Sequence, residues 1–136
     1  MKYYLAKSEP AVYSIDDLER DRQTLWDGVT NAQAVQAIRA MRPGDRVFFY
    51  HSGGVSAIAG VADVLSSGRG DPGNAKSAVV DLGFRAKLEP PTLLSDVKQS
   101  ARFADWALVR QSRLSTMEAP PAFVKWMRAR YPHAKI

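Results

Sequence analysis

The residues best suited to chemistry lie in one stretch, Trp26-Asp27-Gly28-Val29-Thr30-Asn31-Ala32-Gln33-Ala34. A large flat ring stands beside a carboxylate and a glycine, and an asparagine then opens a helical pattern. A Trp before Gly, outside any regular element, is badly placed to fill a core and well placed to wall a pocket. Stacking on such a ring is worth roughly 1–3 kcal/mol per nucleobase. Asn31 carries a donor and an acceptor, which suits an amide-like base edge. As a helix cap it would use its side-chain oxygen and keep only its NH2 free. Asp27 could accept from a base amino group, or fix the turn before Gly28. The free N–H groups of the following helix add partial positive charge at the same place.

Other candidates flank this stretch. Lys7-Ser8-Glu9-Pro10 closes a first strand, Lys2 to Ala6. Pro10 denies a ladder donor and holds Glu9 extended, so Lys7 and Ser8 stand at an exposed strand end of defined shape. Lys7 suits a phosphate. Ser8 suits a ligand hydrogen bond, or organises the turn. His51-Ser52-Gly53-Gly54 ends an aromatic strand. Neighbours on a strand point to opposite faces, so His51 and Ser52 do not make a nucleophile–base pair. The other histidine, His133, is near the far end of the chain. No histidine-rich metal site, phosphate-binding loop or nucleophile-elbow motif is present. No catalytic residue, metal or cofactor is expected.

The elements that would position these groups can be read in order. Ser14 caps a short helix with Asp16 and Asp17 in its first turn and Ile15 and Leu18 inward. Asn31 caps a second helix to about Met41, with Ala34, Val35, Ile38 and Met41 on one side. Arg42-Pro43-Gly44-Asp45 turns the chain. Val47 to His51 is a strand, with Phe48 and Tyr50 facing opposite Val47, Phe49 and His51. Val55 to Leu65 is its hairpin partner, with Gly60 at a bulge or bend. Ser66 to Lys76 reads as a mobile loop. Ser77 to Leu88 alternates as a strand that Glu89-Pro90-Pro91 stops, and Thr92 caps a short helix. Leu108 to Met117, with Arg110 and Arg113, reads as a late strand. Pro120-Pro121 opens a final helix whose Phe123, Trp126 and Met127 form a core stripe. The result is a small α+β domain over 1–136: a curved, mainly antiparallel sheet or barrel with helices at its rim.

Composition fits this outline. The 136 residues carry 46% hydrophobic residues and no cysteine, which excludes disulfides and thiolate metal sites. No apolar run approaches a membrane span and no signal-peptide pattern opens the chain. A cytoplasmic protein is expected, or a nuclear one in a eukaryote, and a monomer is assumed. The net charge of +5 is uneven. Residues 1–68 hold seven Lys/Arg against eight Asp/Glu, and residues 69–136 hold twelve against six. That asymmetry fits a basic face for phosphates or an ordinary soluble surface.

Taken together, several blocks resemble one family. They are Lys7-Ser8-Glu9-Pro10, Trp26 to Asn31 with Gln33-Ala34, Gly44-Asp45, Phe48 to Ser52, and Ala107 to Gln111 with Arg113-Leu114-Ser115. In this order they resemble the EVE domain, of the PUA-like superfamily that includes the YTH and ASCH domains. The resemblance implies a pseudo-barrel of about six strands and a pocket for a flipped nucleobase of DNA or RNA, with a modified base among the candidates. It implies a pocket-wall role for Trp26, base or sugar contacts from Ser8 and Asn31, and a facing rim of Tyr50, His51 and Ser52. Lys7, Arg110 and Arg113 would meet phosphates. Two positions depart from the family pattern. Ser77-Ala78 stands where an aromatic is frequent, and Thr30 replaces a frequent arginine. The competing readings are a protein-interaction or small nucleotide-like ligand module, and a nucleic-acid-processing enzyme.

Overall fold

The computed structural model describes residues 1–136. Ser14 does cap a helix: its hydroxyl accepts from the Asp17 N–H while Asp17 accepts from the Ser14 N–H, and α1 spans Ile15–Asp21. The chain begins with β1 (Tyr3–Ser8), and α1 leads to β2 (Gln23–Trp26), α2 (Ala32–Ala40) and β3 (Arg46–His51). This crossover makes β1 and β3 parallel neighbours, Leu5 opposite Phe48 and Ser8 opposite His51. Every other strand pair is antiparallel.

Next come β4 (Ala57–Val64), β5 (Arg69–Asp71) and β6 (Asn74–Leu93). Three short helices and one strand finish the chain: α3 (Leu94–Gln99), α4 (Ala107–Arg110), β7 (Thr116–Ala119) and α5 (Pro121–Arg130). The seven strands form one curved sheet in the order β2-β6-β4-β3-β1-β7, with β5 paired to β6.

Period-two alternation divides the sheet between two cores. Tyr3, Leu5, Phe48 and Tyr50 pack with Phe103, Trp106, Phe123 and Met127 from the C-terminal third. Tyr4, Ala6, Val47 and Phe49 pack instead with Ile15 and Leu18 of α1 and Val35 and Ile38 of α2. Gly60 sits at a register shift between β4 and β6, and a Cβ there would collide with the Ile15 side chain and the Ala86 carbonyl. The bend expected at Gly60 is therefore a close approach of α1 to the sheet.

Five sequence expectations are corrected. Glu89-Pro90-Pro91 does not stop the strand: β6 runs through it to Leu93, and Thr92 and Leu93 pair with Ile58 and Ala57. Trp26 is not outside regular structure: it ends β2 and pairs with Val80. Residues 66–76 are not simply a loop, because Arg69 and Gly70 pair with Val79 and Ala78 in a hairpin. Thr92 does not cap α3. It is fully buried and its hydroxyl shares a 2.7 Å hydrogen bond with Tyr131, while Asp96 accepts the Leu93 N–H at the helix start. The segment before Met117 is α4 and a turn, with only Thr116–Ala119 returning to the sheet.

Candidate functional site

Strand pairing carries Trp26 to the end of β2, beside the end of β1. Between them lies an open cavity of about 430 Å³, lined by Lys7, Ser8, Glu9, Tyr13, Trp26 and Asp27, with Val12, Thr24 and Leu25. Trp26 is half-buried and its ring meets Phe49 edge-on, 5.5 Å between centroids at 72°. Phe49 has no exposure, so the core fixes one edge of the indole while the cavity meets the rest.

The β1 end is fixed by its own hydrogen bonds. The Ser8 hydroxyl donates to the Tyr13 carbonyl at 2.5 Å, and the Val12 and Tyr13 N–H groups both donate to the Glu9 carbonyl at 2.9 Å. Ser8 thus organises the turn and also lines the cavity. Tyr13 donates to Asp21 at 3.0 Å, and burial raises its phenol above the usual range, which keeps it protonated at neutral pH. Val12 and Leu25 stand exposed on the lining.

The charges here are mixed. The Lys7 ammonium lies 5.4 Å from the Tyr50 ring centre and donates to the Ser112 carbonyl at 2.9 Å. Burial lowers its pKa. Arg113, next to the Ser112 acceptor, is exposed with no ion-pair partner. Arg110 is also exposed but meets Asp105 at 3.3 Å. Glu9 and Asp27 are exposed carboxylates that form no ion pair. Asp27 makes no side-chain hydrogen bond to Gly28, whose φ of 77° turns the chain by itself.

Not all the expected residues gather here. Asn31 caps α2 as its type allows, its Oδ1 accepting from the Gln33 and Ala34 N–H groups at 3.0 and 3.1 Å. It is exposed, its NH2 is unpaired, and it does not line the cavity. Tyr50 is no rim residue: only 2% exposed, it belongs to the core on the far face of β3. His51 opens instead onto a second cavity with Asp16, Lys87 and Glu89. Its Nε2 accepts the Ile15 N–H at 3.0 Å, so it shares the capping of α1 with Ser14. Burial lowers its pKa, partly opposed by Asp16. Ser52 donates its N–H to the Ser8 carbonyl at 2.9 Å and extends the β1–β3 pairing past the cavity. Ala78, at the position of the missing aromatic, is fully buried in the core that holds Phe49, and it pairs with Gly70 of β5.

The sequence reading missed Tyr13, Thr24, Val12 and Leu25. Glu9-Pro10 gave a signal for the turn that presents Val12 and Tyr13. β2 is only four residues long and alternates exposed with half-buried, a pattern too brief to separate from a loop.

Comparison with known proteins is consistent with this geometry. Thymocyte nuclear protein 1 of Rattus norvegicus is 44% identical over 61 residues, covering 37% of this chain and 27% of that protein. The chain thus matches about a quarter of the length of that relative. A protein of Rhodopseudomonas palustris solved by NMR aligns with TM-score 0.86 and 36% identity, over 93% of this chain and 90% of that one. Human THYN1 protein, crystallised in complex with 5-methylcytosine-containing DNA, aligns with TM-score 0.85 and 24% identity, over 95% and 96% of the chains. The model of the EVE domain matches residues 2–130, and the chain belongs to the EVE domain family.

Proposed function

We propose that residues 1–136 form a single EVE domain that binds nucleic acid without catalysis and takes a flipped nucleobase of DNA or RNA, most favourably a modified one, into the Trp26 cavity. The observation that carries this reading is the setting of Trp26: a half-exposed indole, braced by a buried ring, facing a cavity that Lys7 and the free carboxylates Glu9 and Asp27 also line.

The chemistry is complementary to a base. The indole face stacks. Glu9 and Asp27 accept from an exocyclic amino group, and Lys7 donates to a ring carbonyl or a flanking phosphate. Tyr13 and Leu25 supply the wall that Ala78 cannot. A methyl group on the base adds about 0.8 kcal/mol if it is buried, only a few-fold in affinity. Discrimination therefore rests on hydrogen bonds and exclusion as well. The similar human fold bound to 5-methylcytosine DNA makes a methylated cytosine the first base to test. Arg113 and, more weakly, Arg110 continue the cationic edge, and the unpaired Asn31 NH2 offers a donor to the sugar or base beside the cavity.

Binding of short oligonucleotides with and without the modified base, followed by mass analysis of the recovered oligonucleotide, tests the reading. Salt-sensitive, base-selective binding with unchanged mass is expected. A changed mass would make the protein an enzyme, and no binding under low salt would leave the cavity to another ligand.

A further inference from the structure

A second polar cluster lies at the opposite end of β1. The Tyr3 side chain is 7% exposed, and its hydroxyl oxygen accepts from Arg128 Nη2 at 2.8 Å and Arg46 Nη1 at 3.1 Å. Two guanidinium groups thus converge on one neutral oxygen. Both acceptor directions of the oxygen are filled, and its hydroxyl donates to no acceptor of this chain. The arrangement is three donors with no anion among them.

The surrounding charge is not balanced. Asp63 is shared between Arg46 at 3.8 Å and Arg85 at 3.3 Å. Glu118 is engaged by Lys2 at 3.6 Å. Arg128 and Lys125 have no carboxylate partner and line an open cavity of about 560 Å³ with Lys2, Tyr3 and Glu118. Most of these cations come from the basic half of the sequence. Arginine's planar fork is the side chain best matched to phosphate oxygens, and a phenol proton beside it completes a tripod.

We propose that Tyr3, Arg46 and Arg128 form a phosphate-binding site, separate from the Trp26 cavity. Lys125 adds long-range attraction at its mouth. Tyr3 and Lys7 point to the same face of β1 about 13 Å apart, so one nucleic-acid backbone could supply phosphates to both places. A free phosphorylated small molecule is the other source of the same chemistry.

The test is NMR titration with inorganic phosphate, with salt-dependent oligonucleotide binding alongside. Saturable shifts at Tyr3, Arg46 and Arg128 are expected, retained in Trp26→Ala and weakened about tenfold in Arg128→Ala and Tyr3→Phe. Arg69→Ala, on the β5–β6 hairpin, should bind phosphate as the wild type does. If the phosphate comes from a backbone, Arg128→Ala also lowers the slope of log affinity against log salt by about one. An unchanged slope with lost phosphate binding assigns the site to a free phosphorylated molecule. No shift at the cluster, or wild-type phosphate affinity in Arg128→Ala, overturns the proposal. Because Trp26→Ala keeps this site, its failure and that of the base pocket are read separately.

Discussion

The Trp26 ring rests edge-on against Phe49, which has no exposure, and Phe49 in turn meets His51 edge-on at 5.8 Å. A cavity-facing aromatic is therefore tied to the core by one intermediary. The two rings divide the work: Phe49 holds, and Trp26 is available.

That division predicts opposite outcomes for two substitutions. Trp26→Ala should leave a folded protein and weaken binding of the base by about tenfold or more, the loss of one stacking surface. Phe49→Ala should cost about 3–5 kcal/mol of stability. Circular dichroism melts and calorimetric titration of both variants separate the roles.

Asn31 can be dissected at its two ends. Asn31→Ala removes the acceptor for the Gln33 and Ala34 N–H groups and should lower stability by about 1 kcal/mol. Asn31→Asp keeps an acceptor and adds a favourable charge at the helix start, so stability should recover. It loses the NH2, and oligonucleotide affinity should fall several-fold. Full affinity in Asn31→Asp would leave this residue as a cap alone.

His51 gives the fold a pH dependence whose sign is fixed by its bond. The Ile15 N–H needs an unprotonated Nε2, and burial also disfavours the cation, so the folded-state pKa lies below the usual 6.5. The unfolded chain therefore binds the proton first. The contribution of His51 is complete above about pH 6.5 and is lost as pH falls from there toward the lowered folded value. Urea midpoints at pH 8 and pH 5.5 should differ more for the wild type than for His51→Gln.

The cationic edge should be graded by pairing. Lys7→Met and Arg113→Ala should each lower the salt slope of oligonucleotide binding by about one, with little effect on base selectivity. Arg110→Ala should change it less, because Asp105 already engages that guanidinium at 3.3 Å. Equal slopes in the wild type, Lys7→Met and Arg113→Ala would remove both residues from the contact surface.

Gly60→Ala tests the close approach of α1. The added methyl meets the Ile15 side chain and a backbone carbonyl that cannot retreat cheaply, so a loss of about 1–3 kcal/mol in chemical denaturation is expected.

Long periodic elements were legible in the sequence. The Ser14 and Asn31 caps, the alternation of Val47 to His51 and the final helix all stand where local chemistry placed them. What escaped depended on tertiary pairing. Trp26 reads as loop because β2 exists only through its ladder with β6. The family resemblance implied a rim of Tyr50 and His51, whereas packing turns Tyr50 into the core and spends His51 on α1. Tyr13 escaped because a turn residue reveals its target only when β1 and β2 come together.

The most direct test is a tryptophan-fluorescence titration of wild type and Trp26→Ala against modified and unmodified nucleosides and short single- and double-stranded oligonucleotides. The base-pocket account predicts saturable quenching by one modified base in the wild type and none in the variant. A flat response across the panel from folded wild-type protein would contradict it.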